Sequence, residues 1–190
     1  MRLICLLLLG SLPTLSSAKP ARECQELKSE QIRLALIASN LANQNTTRTP
    51  EGGPYHPFKI TSCQDGGCQA QPQANSVIKY LPGHPDANKG GYVALPDIDV
   101  RAEFDAFNMT ATKLRLLASA GLCRGVALIE KGPSSFMLRY QGKGEADVKE
   151  DLFNLSDDHQ VVGWMRQDLK GHATTIRFRE DGTLLTHVSE

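Results

Sequence analysis

The chain has 190 residues, and its 21 basic and 21 acidic side chains leave no formal net charge. That balance excludes an overall field that would draw nucleic acid or an anionic membrane surface. Nowhere does the sequence reach the roughly 20 consecutive apolar residues of a membrane-spanning helix, so no transmembrane segment is expected.

The first predicted element is a secretory signal peptide over residues 1–18. It has a basic start at Arg2, an apolar run from Leu3 to Leu9 and a small-residue end, Ser16-Ser-Ala18, with cleavage expected between Ala18 and Lys19. A lipoprotein signal competes, but neither Cys5 nor Cys24 sits where a lipid-attachment cysteine would follow the apolar run. The mature chain is then an exported protein of roughly 170 residues, room for one or two domains, and the periplasm is its expected location.

Removal of that leader leaves Cys24, Cys63, Cys68 and Cys123, an even count that argues for two disulfides in an oxidising compartment. Cys63 and Cys68 can close on each other through Asp65-Gly66-Gly67, a short staple around a turn. Cys24 and Cys123 then pair across a loop of about 100 residues, which contributes roughly 4–5 kcal/mol in the chain-entropy description. A redox or metal role for Cys63 and Cys68 is the alternative. Their spacing is not that of a C-x-x-C site, and no nearby pair of cysteines or histidines completes a zinc site.

A helix is predicted from about Glu23 to Asn43. Cys24, Leu27, Gln31, Leu34, Ala38 and Leu41 recur at gaps of three and four and share one stripe. Ile32, Leu36 and Ile37 add apolar surface beside it. The run Asn43-Gln-Asn-Thr-Thr-Arg-Thr-Pro50 ends the helix. Residues 50–98 are rich in Gly, Pro, Asn and Gln, and Phe58-Lys-Ile-Thr61 and Ser76-Val-Ile-Lys-Tyr80 are predicted to pair as a small hairpin with the cysteine staple at its tip. A second helix is predicted from about Asp99 to Ala120. Val100, Phe104, Phe107, Ala111, Leu114 and Ala118 form its stripe, Asp97 or Asp99 caps it, and Gly121 stops it. If the helices run antiparallel, Cys24 and Cys123 meet at their open end.

Two runs within this region resemble a known family. Ile37-Ala-Ser-Asn-Leu-Ala-Asn43 with Thr46-Thr-Arg-Thr-Pro-Glu-Gly-Gly-Pro-Tyr55 is the first. Pro82-Gly-His-Pro-Asp-Ala-Asn88 with Gly91-Tyr-Val93 and Pro96-Asp-Ile-Asp-Val100 is the second. Together they resemble the FlgC family of bacterial flagellar basal-body rod proteins, the proximal rod family, over about residues 32–118. The resemblance implies assembly and no catalysis: helices of many subunits pack into a tube, and the loop between them contacts neighbours. It places Leu34, Ile37, Asn40, Leu41 and Asn43 on the subunit-packing face of the first helix. Thr49, Pro50, Glu51, Gly52, Gly53, Pro54 and Tyr55, together with Gly83, His84, Pro85, Asp86, Ala87 and Asn88, would form the contact loops. It implies no cofactor and no small-molecule substrate.

Residues 125–190 read as mostly β. Gly125–Glu130 and Ser135–Tyr140 flank a turn, Ala173–Arg179 and Thr183–Val188 flank Asp181-Gly182, and His159–Met165 supplies a fifth strand. A short helix is expected over Asp147–Leu155. Trp164, Phe136, Phe178 and Leu184 are the expected core. Asp157, Asp158, His159, His172 and His187 match no metal-ligand spacing. His84-Pro-Asp86 occurs in chaperone J-domains but lacks their flanking helices here, and Asn45, Asn108 and Asn154 head chance glycosylation acceptors. There is no phosphate-binding glycine loop and no Gly-x-Ser-x-Gly elbow.

The expected fold class is α+β: an antiparallel helix pair with a loop-rich β insert over residues 19–124, followed by a small antiparallel β domain over 125–190. The expected function is a structural or accessory part of the basal-body rod, with other rod or basal-body proteins, or further copies of the chain, as partners. The alternative is an exported binding module that uses the helix pair as scaffold and recognises a partner through the β region.

Overall fold

A computed structural model describes residues 18–141, 148–168 and 170–189. The expected signal peptide falls, apart from Ala18, outside the described residues. Helix α1 spans Ala18–Ala42 and helix α2 spans Val100–Ser119. They run antiparallel: Cys24 bonds to Cys123 at one end, with Cα atoms 5.2 Å apart, and Asn40 reaches Glu103 at the other. Asp99 caps α2 by accepting a hydrogen bond from the Ala102 amide. The helix stops at Gly121, whose φ of 65° leaves the helical region. Between the helices, Lys113 Nζ lies 2.8 Å from both Glu26 and Glu30.

The insert forms two separate two-stranded sheets. Strand β1 (Phe58–Gln64) pairs with β2 (Gly67–Pro72), and β3 (Ser76–Tyr80) pairs with β4 (Tyr92–Pro96). This corrects the expected pairing of Phe58–Thr61 with Ser76–Tyr80. The Asp65-Gly66 turn, with φ of 52° and 79°, turns β1 back on the next residues before β3 is reached. Cys63 and Cys68 are directly opposite in that hairpin and form the second disulfide.

The C-terminal strands β5 (Val126–Gly132), β6 (Ser135–Gln141), β7 (Val148–Leu155), β8 (Val161–Asp168), β9 (Ala173–Phe178) and β10 (Leu184–Ser189) form one antiparallel meander. The sheet has six strands where five were expected, because Val148–Leu155 is strand and not helix. Its buried Asp151 makes the segment read as a polar helix, but Arg166 of β8 clamps that carboxylate at 2.7 and 2.8 Å across the register.

Helix α2 lies on one face of this sheet and runs across its strands. Phe104 meets Phe178 of β9 edge-on at 5.5 Å, and Phe107 meets Trp164 of β8 at 6.3 Å. Further along, Arg115 stacks over Phe136 of β6 and grips Glu130 of β5 with both carboxylate oxygens. Gly182 in the β9–β10 turn touches the same helix. A Cβ there would stand 2.7 Å from that of Phe104, so glycine is required by contact as well as by its φ of 84°. The result is one continuous core containing Leu27, Leu34, Leu41, Phe104, Phe107, Leu114, Phe136, Phe153, Trp164, Ile176 and Phe178, with half-buried Leu184 against it.

The helix pair followed by antiparallel β structure is α+β, as the sequence implied. No helix among the described residues is long and apolar enough to cross a membrane.

Candidate functional site

Asn40 is the point where α1, the loop after it, β1 and α2 are tied together. It sits on the inner side of α1 at 1% exposure, where an amide must find partners for both ends. Its Nδ2 donates to the Phe58 carbonyl at 2.9 Å and to Glu103 Oε1 at 3.1 Å. Its Oδ1 accepts from the Phe58 amide at 2.8 Å and from the Tyr55 hydroxyl at 3.2 Å. Tyr55 also shares a 3.0 Å hydrogen bond with Ser39. Burial pushes the Tyr55 hydroxyl up from its ordinary pKa, against the pull of that bond. Burial likewise pushes up the Glu103 carboxyl, with the Asn40 amide opposing the shift.

The loop from Thr46 to Tyr55 is closed by its own backbone. Thr49 N donates to Gly53 O at 2.8 Å, Gly52 N to Thr49 O at 3.0 Å and Tyr55 N to Thr46 O at 3.0 Å. Asn43 anchors its base, donating to Ser39 O and accepting from the Thr46 hydroxyl. The loop from Gly83 to Asn88 closes in the same manner, through His84 N to Leu81 O and Ala87 N to His84 O. Asn88 Oδ1 accepts from the Gly90 and Tyr92 amides. Gly91 packs under Tyr80, where a Cβ would come within 2.7 Å of the ring.

The two loops meet at Asp86. Thr47 Oγ1 donates to Asp86 Oδ2 at 2.7 Å, and Arg48 forms an ion pair with Oδ1. The Asp86 amide donates to His84 Nδ1 at 3.1 Å. The Thr47 hydroxyl first, then the Arg48 guanidinium and His84, hold the Asp86 carboxyl below its ordinary range. This latch ties the loop that connects β3 to β4, at the closed end of that arm, to the loop after α1. One face of that arm buries Val93 and Leu95, and the other exposes Ile78, Tyr80 and Tyr92, the two tyrosines edge-to-face at 5.3 Å.

The residues that the resemblance placed at the contact surfaces thus fall into two groups. Leu34, Ile37, Asn40 and Leu41 are buried inside this chain, and Asn43 is half-buried at the helix end. Pro50, Glu51, Gly52, Gly53, Gly83, Pro85 and Asn88 are exposed, while Thr49, Pro54, Tyr55, His84, Asp86 and Ala87 are half-buried. The partnership of Thr47 and Arg48 with Asp86 was not foreseen. The residues lie inside the two quoted runs, but nothing in a one-dimensional pattern says which ones meet.

Elsewhere, a concavity of about 460 Å³ lies between α1 and the sheet and is lined by Ile32, Ala35, Leu36, Tyr140, Lys149 and Arg166 among others. Burial pushes the Tyr140 hydroxyl well up, so it stays protonated, and Arg166 is occupied by Asp151. Of the histidines considered for a metal, His159 sits in the β7–β8 turn and His172 in the β8–β9 turn, at opposite ends of the sheet. His172 bonds to Asp168 at 3.0 Å. Among the described residues no three His, Cys, Asp or Glu side chains converge on a metal position.

Comparison with known proteins bears on the helix and loop region. A family model described as flagella basal body rod protein matches residues 27–48, the stretch that contains Asn40, Thr47 and Arg48. The flagellar basal-body rod protein FlgC of Borreliella burgdorferi is 31% identical over 106 residues, covering 40% of this chain and 69% of that protein. FlgC of Salmonella typhimurium is 34% identical over 88 residues, covering 40% of this chain and 66% of the relative. FlgC of Escherichia coli O6:H1 is 33% identical over the same length and coverage. The chain therefore spans about two thirds of the relatives' length, and more than half of it lies outside the match.

Proposed function

Because the chain belongs to the FlgC family of flagellar basal-body rod proteins, we propose that it is a structural or accessory component of the rod that works by protein contact and catalyses nothing. The observation that carries this reading is the latch at Asp86. The two runs typical of the family are distant in sequence, yet they meet at one carboxylate, where Thr47 and Arg48 of the first run hold Asp86 of the second. Such a junction pins the closed end of the β3–β4 arm to the loop after α1, and the arm presents Ile78, Tyr80 and Tyr92 outward. Exposed aromatic and aliphatic side chains grouped on a rigid hairpin suit a contact with another subunit.

On this reading Leu34, Ile37, Asn40, Leu41 and Asn43 serve assembly indirectly, by holding the helix pair and loop in shape. The exposed loop residues from Pro50 to Gly53, and Gly83, Pro85 and Asn88, are the ones that touch neighbours. The partners are other rod or basal-body proteins, with further copies of the chain among them. Export through the leader at residues 1–18 brings the chain to the periplasm, which suits the two disulfides. The comparisons lend no support to a general exported binding module.

The test is retention of rod and ring proteins by the purified mature chain. Retention that is lost when Tyr80 and Tyr92 are both changed to Ser is the expected result. Failure to retain any basal-body protein at low and physiological salt would overturn the reading. The export route is checked by fractionating cells that lack the flagellar export genes, where the protein is expected to remain in the periplasm.

A further inference from the structure

The C-terminal sheet has a second face that neither helix covers, and its register draws a line of five apolar residues and one threonine across it. Ile129 pairs with Met137, Met137 with Leu152, Leu152 with Met165, Met165 with Thr175, and Thr175 with Val188. Directly opposed residues point to the same side of a sheet, so these six form one row, one residue from each strand. The side chains that meet α2, namely Phe136, Trp164 and Phe178, alternate with them along the strands and therefore point the other way. Polar rows flank the belt on both sides: Arg139, Glu150 and Gln167 on one, Ser135, Asn154 and Arg177 on the other. Between them is a groove of about 310 Å³, floored by half-buried Leu152 and Met165 and by Met137, which is 6% exposed.

The dimensions and charge choose among occupants. Six strands at about 4.8 Å spacing give a belt roughly 24 Å long, which matches an α-helix of about 16 residues. The belt is only one residue wide, too narrow for a membrane surface. A second sheet laid on this face would bury the polar rows as well and leave their hydrogen-bonding groups unpaired. A helix with one apolar stripe covers the belt and leaves the flanks wet. The opposite face already demonstrates the arrangement, since α2 crosses the strands from β9 to β5. The two methionines bring flexible, polarizable side chains that adapt to a helix surface. Lys131, Arg139 and Arg177 stand around the belt, while Glu150 is the only carboxylate in the flanking rows and is already paired with Arg139 at 2.7 Å.

We propose that the belt Ile129–Met137–Leu152–Met165–Thr175–Val188 is a docking surface for an amphipathic α-helix of a partner protein, whose apolar stripe is edged by acidic residues. This surface is separate from the helix and loop region that carries the family match, and the inference does not depend on the rod reading.

The test uses the mature full-length chain with ¹³C-methyl methionine and a synthetic helical peptide of about 16 residues, its leucine stripe edged by glutamate. The methyl signals of Met137 and Met165 are expected to shift on titration, while that of Met109, 74% exposed on α2, stays in place. Val188→Asp, at an edge position already 43% exposed and so tolerant of change, and Met165→Glu are each expected to weaken binding at least about tenfold. A peptide edged by lysine is expected to bind more weakly by a similar factor. Equal binding of the two peptides, unchanged binding to Val188→Asp, or a shift at Met109 in place of Met137 and Met165 would overturn the proposal. So would shifts of those two methyls with phosphatidylglycerol vesicles and none with the acidic peptide.

Discussion

Asn40 makes four hydrogen bonds to four different groups from a buried position, and no apolar residue could take its place without leaving several of them unpaired. Asn40→Ala strands the Phe58 amide and carbonyl and removes the partner of Glu103, so it is expected to cost about 2–3 kcal/mol, read as a lower urea midpoint at unchanged m-value. A loss below about 0.5 kcal/mol would mean that water replaces the side chain without penalty. Asp86 acts differently because it is a half-buried carboxylate that solvent still reaches. Its pKa in the folded chain is lowered, by the Thr47 hydroxyl above all, so the latch contributes above the unfolded carboxylate value near 3.9 and is lost as pH falls through the lower folded value. Amides of Thr46–Tyr55 are expected to lose exchange protection in that acid range. Asp86→Ala is expected to show the same loss already at neutral pH. Glu103 has the opposite sign: its raised pKa favours folding at pH values below its unfolded pKa, and that contribution fades as pH rises through the folded value. The sequence marked Asn40 and Asp86 as members of family-like runs. It could not show that both act within the chain, because a hydrogen-bond partner 63 residues away leaves no local pattern.

At the scale of elements, both helices were legible because their apolar stripes are long and periodic, and Asp99 and Gly121 punctuate α2 clearly. Strands with a tight turn were legible too: Lys131 to Ser134 and Asp181-Gly182 both mark hairpins. Strand β7 was not. Its Asp151 is fully buried and breaks the apolar alternation, and what stabilises it there is Arg166 on the next strand. The ion pair carries a specific expectation. Arg166→Ala, which leaves the carboxylate buried without its partner, should cost about 3–5 kcal/mol, whereas the double change Asp151→Leu with Arg166→Met should cost clearly less than either single change. Chemical denaturation of Arg166→Ala, the double variant and its two single changes measures it. If the double change were the costlier, the pair would be a net source of stability. Strand β2 was missed for another reason: Gly-Cys-Gln-Ala-Gln-Pro has almost no β-preferring side chains, and its place is fixed by the Asp65-Gly66 turn and the Cys63–Cys68 bond.

At the scale of the whole molecule, the helix pair and the sheet share one core. Phe104, Phe107 and Leu114 of α2 lie in the same cluster as Phe136, Trp164 and Phe178 of the sheet. Of the apolar residues beside the α1 stripe, Ile37 is buried within this chain, whereas Ile32 is 40% exposed. The disulfide between Cys24 and Cys123 closes the open end of the pair, as the spacing of the cysteines and the two helical stripes together implied. What the sequence left unread is the outer belt of the sheet, because it exists only once the strand register is known. The β3–β4 arm and that belt are two of the surfaces open to a partner, and the rod reading rests on the arm. The most direct test is the amount of this chain in purified basal bodies, measured by mass spectrometry in cells carrying the unaltered protein and in cells carrying Asp86→Ala. The account expects co-purification with the rod proteins that falls sharply in the variant. A chain abundant in the periplasm but absent from basal bodies in both strains would contradict it.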